Sequence, residues 1–181
     1  MATSLVAVAG RRQPRARSRP TVVILAGGKG TRLAPLTTVL PKPLMPLGDE
    51  PILDVLLRQL RAEGWRQATL AVGHLSELIM SYCGSGKRYD LRLRYLRESE
   101  PLGTVGPLAN LAESARDRTL LVMNGDVLSS LRYMDFYRAH RESGAIASIA
   151  LCRRNVRIDF GVLELDGRVG QEHRIREYRE K

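Results

Sequence analysis

Cysteine is nearly absent from this sequence: Cys83 and Cys152 are the only two in 181 residues. Two thiols that far apart, with no second pair, exclude a disulfide framework and a zinc ribbon, and they suit a reducing cytoplasm. Aromatic residues are also scarce, at 5% of the chain. They do not interleave with the basic residues, and no nucleic-acid recognition motif is present, so no nucleic-acid partner is expected. No apolar run approaches the roughly 20 residues that span a bilayer. The short piece "LVAVA" at 5–9 precedes the nearby arginines, the wrong order and length for a secretory signal. Acid is missing from residues 1–20, where Arg11, Arg12, Arg15, Arg17 and Arg19 supply half of the net charge of +10. That composition predicts a basic, disordered, solvated extension ahead of one domain at 21–181, although an Arg-rich, acid-free start also suits a transit peptide or an anionic surface.

What is present is an alternation of apolar patterns. "TVVILA" at 21–26 is a continuous apolar run rich in β-branched residues and bounded by Pro20 and Gly27, the mark of a buried strand. Ile52, Val55, Leu56 and Leu60 recur at helical spacing between Pro51 and Gly64, with start and stop residues in the expected places. "ATLAV" reads as a second buried strand, "LSELIMSYC" as a short helix, and "LRLRYLR" at 91–97 as a strand with one wet face. "TLLVMN" at 119–124 and "AIASIAL" read as strands on either side of a helix at 131–142, and "FGVLELDGRV" as a hairpin turning at Asp166 and Gly167. Strands alternating with helices predict an α/β fold, Rossmann-like, with a mostly parallel central sheet between helical layers and right-handed crossovers. Ligands of such sheets bind at the carboxyl ends of strands. That rule gathers the loop after the first of these strands, the loop from Glu98 to Gly106, and Asp126.

The loop after "TVVILA" is "GGKGTR". Leu33 stands where a dinucleotide-binding motif needs its third glycine, and the P-loop pattern is missing as well. A tight turn alone would account for Gly27 and Gly28, but not for Thr31 and Arg32 directly beyond them or for "PKP" at 41–43. Backbone N–H groups in a concave loop, a planar guanidinium and a compact ammonium together suit a triphosphate. Pro41 and Pro43 restrict the backbone around Lys42, which lowers the entropy lost when the lysine is held in place.

The stretch "LAGGKGTRLAPLTTVLPKPLMPLG" resembles the signature of the sugar-1-phosphate nucleotidyltransferases, especially their mannose-1-phosphate guanylyltransferase-like members. "PLGTVGPL" at 101–108, "NGD" at 124–126, "FGVLELD" at 160–166 and "EYREK" at 177–181 follow in the family's order, so the resemblance covers residues 21–181. It implies the nucleotide-diphospho-sugar transferase fold. It also implies an enzyme that joins an NTP to a sugar 1-phosphate, its two small-molecule partners, with release of pyrophosphate and help from Mg²⁺. No protein nucleophile is needed, so catalysis would rest on positioning two polyanions and neutralising the charge that develops between them.

By the same resemblance, Leu25, Ala26, Gly27, Gly28, Gly30 and Thr31 would hold the nucleotide. Arg32 would bind the leaving phosphates and Lys42 would grip phosphate near the reacting centre. Asp126 matches the magnesium ligand; an aspartate after a buried strand also serves as a helix cap. Gly103 would lie against the base, and Glu98 matches a position that reads the base edge. A carboxylate only accepts hydrogen bonds, so it favours guanine, with two adjacent donors, while uracil and thymine with one N–H remain alternatives. Gly161, Glu180 and Lys181 match sugar and sugar-phosphate contacts, against the plainer reading of the last two as a charged chain end.

Relatives continue past the position of Lys181, so the domain is expected to be incomplete at its C-terminal side, short of a second metal-binding aspartate. This keeps a second reading open, a catalytically incomplete regulatory protein that binds nucleotide or sugar nucleotide. A glycosyltransferase is disfavoured by the lack of any D-x-D motif. Nothing in the sequence fixes whether the chain forms homo-oligomers.

Overall fold

The computed structural model describes residues 6–9, 20–98, 103, 106, 108, 119–153, 162–166 and 175–179. The chain divides into two compact units, Met1–Leu151 and Cys152–Lys181.

Among the described residues, the first unit is built on a six-stranded sheet in the order Arg92–Arg97 (β6), Gln67–Val72 (β5), Thr21–Ala26 (β2), Leu120–Asn124 (β7), Val6–Ala9 (β1) and Ala147–Ala150 (β8). The parallel part consists of β2 (Thr21–Ala26), β5 (Gln67–Val72), β6 (Arg92–Arg97) and β7 (Leu120–Asn124). Its flanking helices are α1 (Ile52–Ala62), α2 (Ser76–Cys83) and α3 (Tyr133–Ser143). A two-residue pair, β3 (Pro46–Leu47) with β4 (Glu50–Pro51), leads into α1. This is the Rossmann-like α/β architecture expected from the alternating patterns, with element limits within a residue or two of those read from the sequence. Among the described residues no helix is long and apolar enough to cross a membrane.

The core lies where α1 meets the sheet. Leu53, Leu56, Leu57 and Leu60 are fully buried, together with Val22 and Ile24 of β2, Leu70 of β5 and Leu121 of β7. Burying each such side chain stabilises the fold by roughly 1.5–3 kcal/mol. The stripe sits at helical spacing, and its sequence mates Arg58, Arg61 and Ala62 fall on the wetter side. Asp54 is buried on the same helix, where Tyr89 and Tyr82 donate hydroxyl hydrogen bonds to it at 2.6 and 3.1 Å and Arg88 donates at 3.1 Å. A buried carboxylate without such partners would be costly. Here it ties α1 to α2 and to the turn Lys87–Tyr89.

Two expectations are corrected. The N-terminal extension at 1–20 is not disordered throughout, because Val6–Ala9 forms β1. This strand runs antiparallel to both β7 and β8 (Ala147–Ala150), with Val6 opposite Met123 and Ala150 and Ala9 opposite Leu120 and Ala147. A four-residue Val-Ala repeat is too short to declare itself, and the slot between two strands supplies the pairing that its own sequence does not specify. The second correction concerns the hairpin of the second unit. It pairs β9 (Val162–Leu165) with β10 (Ile175–Arg179) in antiparallel fashion. Leu165 stands opposite Ile175, so the pairing does not turn back at Asp166, and Gly167 lies outside the described residues.

Candidate functional site

The carboxyl ends of β2, β5, β6 and β7 converge on a cavity of about 1000 Å³. Leu25, Ala26, Gly27, Gly28, Gly30, Thr31, Arg32, Lys42, Glu98, Gly103 and Asp126 all line it, with Lys29, Leu33, Pro43, Gly73, His74 and Asn124. Every described residue expected at the site is therefore in one place. Gly161, Glu180 and Lys181 lie outside the described residues.

The glycine loop begins where β2 ends. Gly27 passes so close to its neighbours that an added Cβ would lie 2.7 Å from Glu98 Oε1 and 3.2 Å from the Gly73 nitrogen, and a Cβ on Gly73 would lie 3.0 Å from the Gly27 oxygen. Two loops from adjacent strands thus touch backbone to backbone. At the far end Gly30 has φ 63°, a left-handed conformation, and its missing Cβ would fall 2.8 Å from Thr37 Cγ2 and 3.4 Å from Lys42 Cβ. Only glycine meets both demands without strain. From Gly30 the chain enters a turn of 3₁₀ helix at Thr31–Leu33, which leaves Thr31 and Arg32 exposed at the cavity.

"PKP" leads into a further 3₁₀ turn, Lys42–Leu44, after an extended Pro41. Both prolines are buried and Lys42 is half-buried, so packing anchors the backbone while the ammonium projects. Lys42 Nζ lies 2.5 Å from Asp126 Oδ2. Asp126 follows Gly125, whose N–H donates to the Leu25 oxygen at 2.8 Å. A Cβ there would meet Ile24 Cγ2 at 3.1 Å and the Leu25 oxygen at 3.2 Å, so "NGD" keeps β7 zipped to β2 up to the residue before the carboxylate. Beyond Asp126, Gln59 of α1 donates from Nε2 to the Ser129 and Leu131 oxygens at 3.2 and 3.1 Å. Glu63 accepts from the Met134 N–H at 2.8 Å.

Glu98 continues the parallel ladder beyond β6, its N–H donating to the Val72 oxygen at 2.9 Å. Its carboxylate lies over Gly27. The cavity thus combines the backbone of the glycine loop and three cationic side chains, Lys29, Arg32 and Lys42, with carboxylates from two other strand ends. Among the described residues there is no cluster of three or more His, Cys, Asp or Glu side chains suited to a metal. Asp126 offers a single hard oxygen ligand, which suits Mg²⁺ because that ion keeps several waters and takes substrate phosphates for its other positions. The carboxylate already holds a cation, the Lys42 ammonium, so the position is one where positive charge is stable.

Two residues at the site carry no mark in the sequence, His74 and Thr37. His74 follows β5 and Gly73, donates its backbone N–H to the Gly27 oxygen at 3.2 Å, and sets Nε2 3.0 Å from the Thr37 oxygen. Thr37, 3% exposed, donates its hydroxyl to the Gly30 oxygen at 3.0 Å. The signal available for His74 was positional: "GH" ends the second buried strand, and the carboxyl-end rule applies to that strand as much as to the others.

Residues 21–181 match the family described as nucleotidyl transferase. Mannose-1-phosphate guanylyltransferase from Mycobacterium tuberculosis is 36% identical over 159 residues, which are 88% of this chain and 43% of that protein. UTP–glucose-1-phosphate uridylyltransferase from a Synechocystis species is 38% identical over 138 residues, covering 70% of this chain and 36% of that one. Among solved structures, HddC from Yersinia pseudotuberculosis superposes with a TM-score of 0.61 at 30% identity over 67% of this chain and 54% of HddC, and it has also been crystallised with GMP-PN. The chain spans less than half the length of the curated relatives it matches.

Proposed function

This chain belongs to the nucleotidyl transferase family, and from that premise we propose that it carries the nucleotide half of a sugar-1-phosphate nucleotidyltransferase site. In the reaction an oxygen of the sugar 1-phosphate attacks the α-phosphorus of an NTP in line. The new O–P bond forms as the bond to the β-phosphate oxygen breaks, and pyrophosphate leaves with the electron pair.

The observation that carries this reading is the meeting of the glycine loop, Arg32 and Lys42 with Asp126 in one cavity at the carboxyl ends of parallel strands. The loop from Leu25 to Thr31 supplies N–H groups to the triphosphate. Arg32 takes two oxygens of the departing phosphates as a fork. Lys42 turns from Asp126 to an oxygen near the α-phosphorus, and the anchored prolines limit what that movement costs in entropy. Asp126 is the described residue that would hold Mg²⁺, whose contribution when bound is to withdraw charge from phosphate oxygens. Glu98, beside Gly27, accepts hydrogen bonds from the base edge and favours guanine, and Gly103 lies against the base. Gly161, Glu180 and Lys181 are assigned to the sugar and its phosphate. The two partners are then an NTP and a sugar 1-phosphate of the hexose class, handled in a reducing cytoplasm.

The test is pyrophosphate release from each NTP with several hexose 1-phosphates and Mg²⁺. GTP with mannose 1-phosphate should release it fastest, and Lys42→Ala and Asp126→Ala should abolish release. NTP binding without turnover would instead mark a regulatory nucleotide-binding protein. Release that survives both substitutions would refute the roles assigned to Lys42 and Asp126.

A further inference from the structure

We infer that His74 is a positioning residue that, through Thr37, fixes the span of the glycine loop. The loop's two ends belong to different neighbourhoods, and three hydrogen bonds join them. The His74 N–H holds the Gly27 oxygen at 3.2 Å, the His74 ring donates from Nε2 to the Thr37 oxygen at 3.0 Å, and the Thr37 hydroxyl holds the Gly30 oxygen at 3.0 Å. A carbonyl cannot donate, so the ring must carry its proton on Nε2 for this contact to exist. The consequence is a closed brace from the end of β5 to both ends of the loop, by way of a buried threonine.

Two further features fit a brace and not an incidental contact. Leu75, the next residue, has φ 53°, a left-handed conformation that non-glycine residues adopt only when the surroundings impose it. It turns the chain between His74 and α2. Thr37 also fills the space beside Gly30 with its methyl, so a shift of Thr37 would move the loop and the Lys42 turn together. Each loop carbonyl that is engaged by a donor has its negative end partly neutralised, which matters beside an anion. For what the loop holds, this inference rests on the triphosphate reading; the brace itself does not.

The test uses His74→Phe, which keeps the ring and loses the Nε2 donor, and His74→Gln, whose amide restores a donor. Without added nucleotide, amide hydrogen exchange in residues 27–33 and 36–38 should quicken about tenfold in the phenylalanine variant, as expected for losing one hydrogen bond. Exchange in β7 should stay as in the wild type, and the glutamine variant should restore protection. Thr37→Val, which keeps the shape and drops the hydroxyl, should loosen residues 30–33 alone. With a fluorescent GTP analogue, affinity should fall about fivefold to tenfold in His74→Phe and stay within about twofold in His74→Gln. Unchanged loop exchange in His74→Phe, or no rescue by glutamine, overturns the inference. A wild-type protein that takes no GTP sinks the nucleotidyl-transfer reading instead, and the exchange data then decide the brace by themselves.

Discussion

Gly30→Ala should destabilise the protein far more than Gly28→Ala, although the two glycines are close neighbours in one loop. At Gly30 an alanine must hold φ 63° and place its Cβ 2.8 Å from Thr37 Cγ2. The left-handed conformation costs an L-residue about 1–2 kcal/mol, and overpacking a methyl costs about 1–3 kcal/mol. Thr37 cannot give way easily, being 3% exposed and hydrogen-bonded to the Gly30 oxygen, so both penalties apply and sum to about 3 kcal/mol. For a chain of this length that lowers Tm by roughly 6–12 °C. At Gly28 nothing lies within 4 Å of an added Cβ, and stability should change by no more than about 0.5 kcal/mol. Urea denaturation followed by circular dichroism measures both. Thr37→Ser removes the offending methyl and keeps the hydroxyl, so in that background Gly30→Ala should recover about 1–2 kcal/mol of its cost, read as a double-mutant cycle. Equal stability of the two alanine variants, or a cycle with no coupling, would refute the geometry assigned to this corner of the loop.

Asp126→Asn should abolish pyrophosphate release yet alter stability by no more than about 1 kcal/mol, since the ion pair it breaks is partly exposed on both sides; a large loss of stability would mark Asp126 as structural. Glu98→Gln keeps the shape and gains a donor, so the ratio of GTP to UTP turnover should fall, and an unchanged ratio removes Glu98 from base reading. His140 is buried, its Nδ1 2.9 Å from Ser148 Oγ, and burial followed by the neighbouring Arg141 holds its pKa below the ordinary 6.5. As pH falls through that ordinary value the unfolded chain takes the proton first, so stability is whole above it and declines toward the folded value; His140→Gln should flatten this part of the urea-midpoint profile between about pH 7.5 and 5. Burial pushes the Cys83 thiol up to about 11, whereas Cys152 is exposed. A thiol reagent should therefore label one cysteine quickly in the native protein and both after denaturation.

Much of this was legible because local pattern and global role coincide. "TVVILA" and "LLVMN" are buried strands by composition, and the carboxyl-end rule then brings Gly27, Glu98 and Asp126 together on sequence grounds alone. What escaped notice has no local signature. The His74 contact joins residues 37 positions apart, and nothing in "GHLS" or "PLTTV" alone announces it. Which residue stands opposite Leu165 is a property of the partner strand and not of the local sequence. β1 was missed for a related reason, since short strands take their conformation from the slot they fill.

That slot has a practical consequence. Among the described residues β8 joins the sheet through β1, so four residues near the start of the chain act as a rivet between the outermost strand and the parallel strands. Trimming the basic extension, by protease or in an expression clone, would strip the rivet along with the arginines, bare the flank of β7 and leave β8 held to α3 through the Ser148–His140 contact.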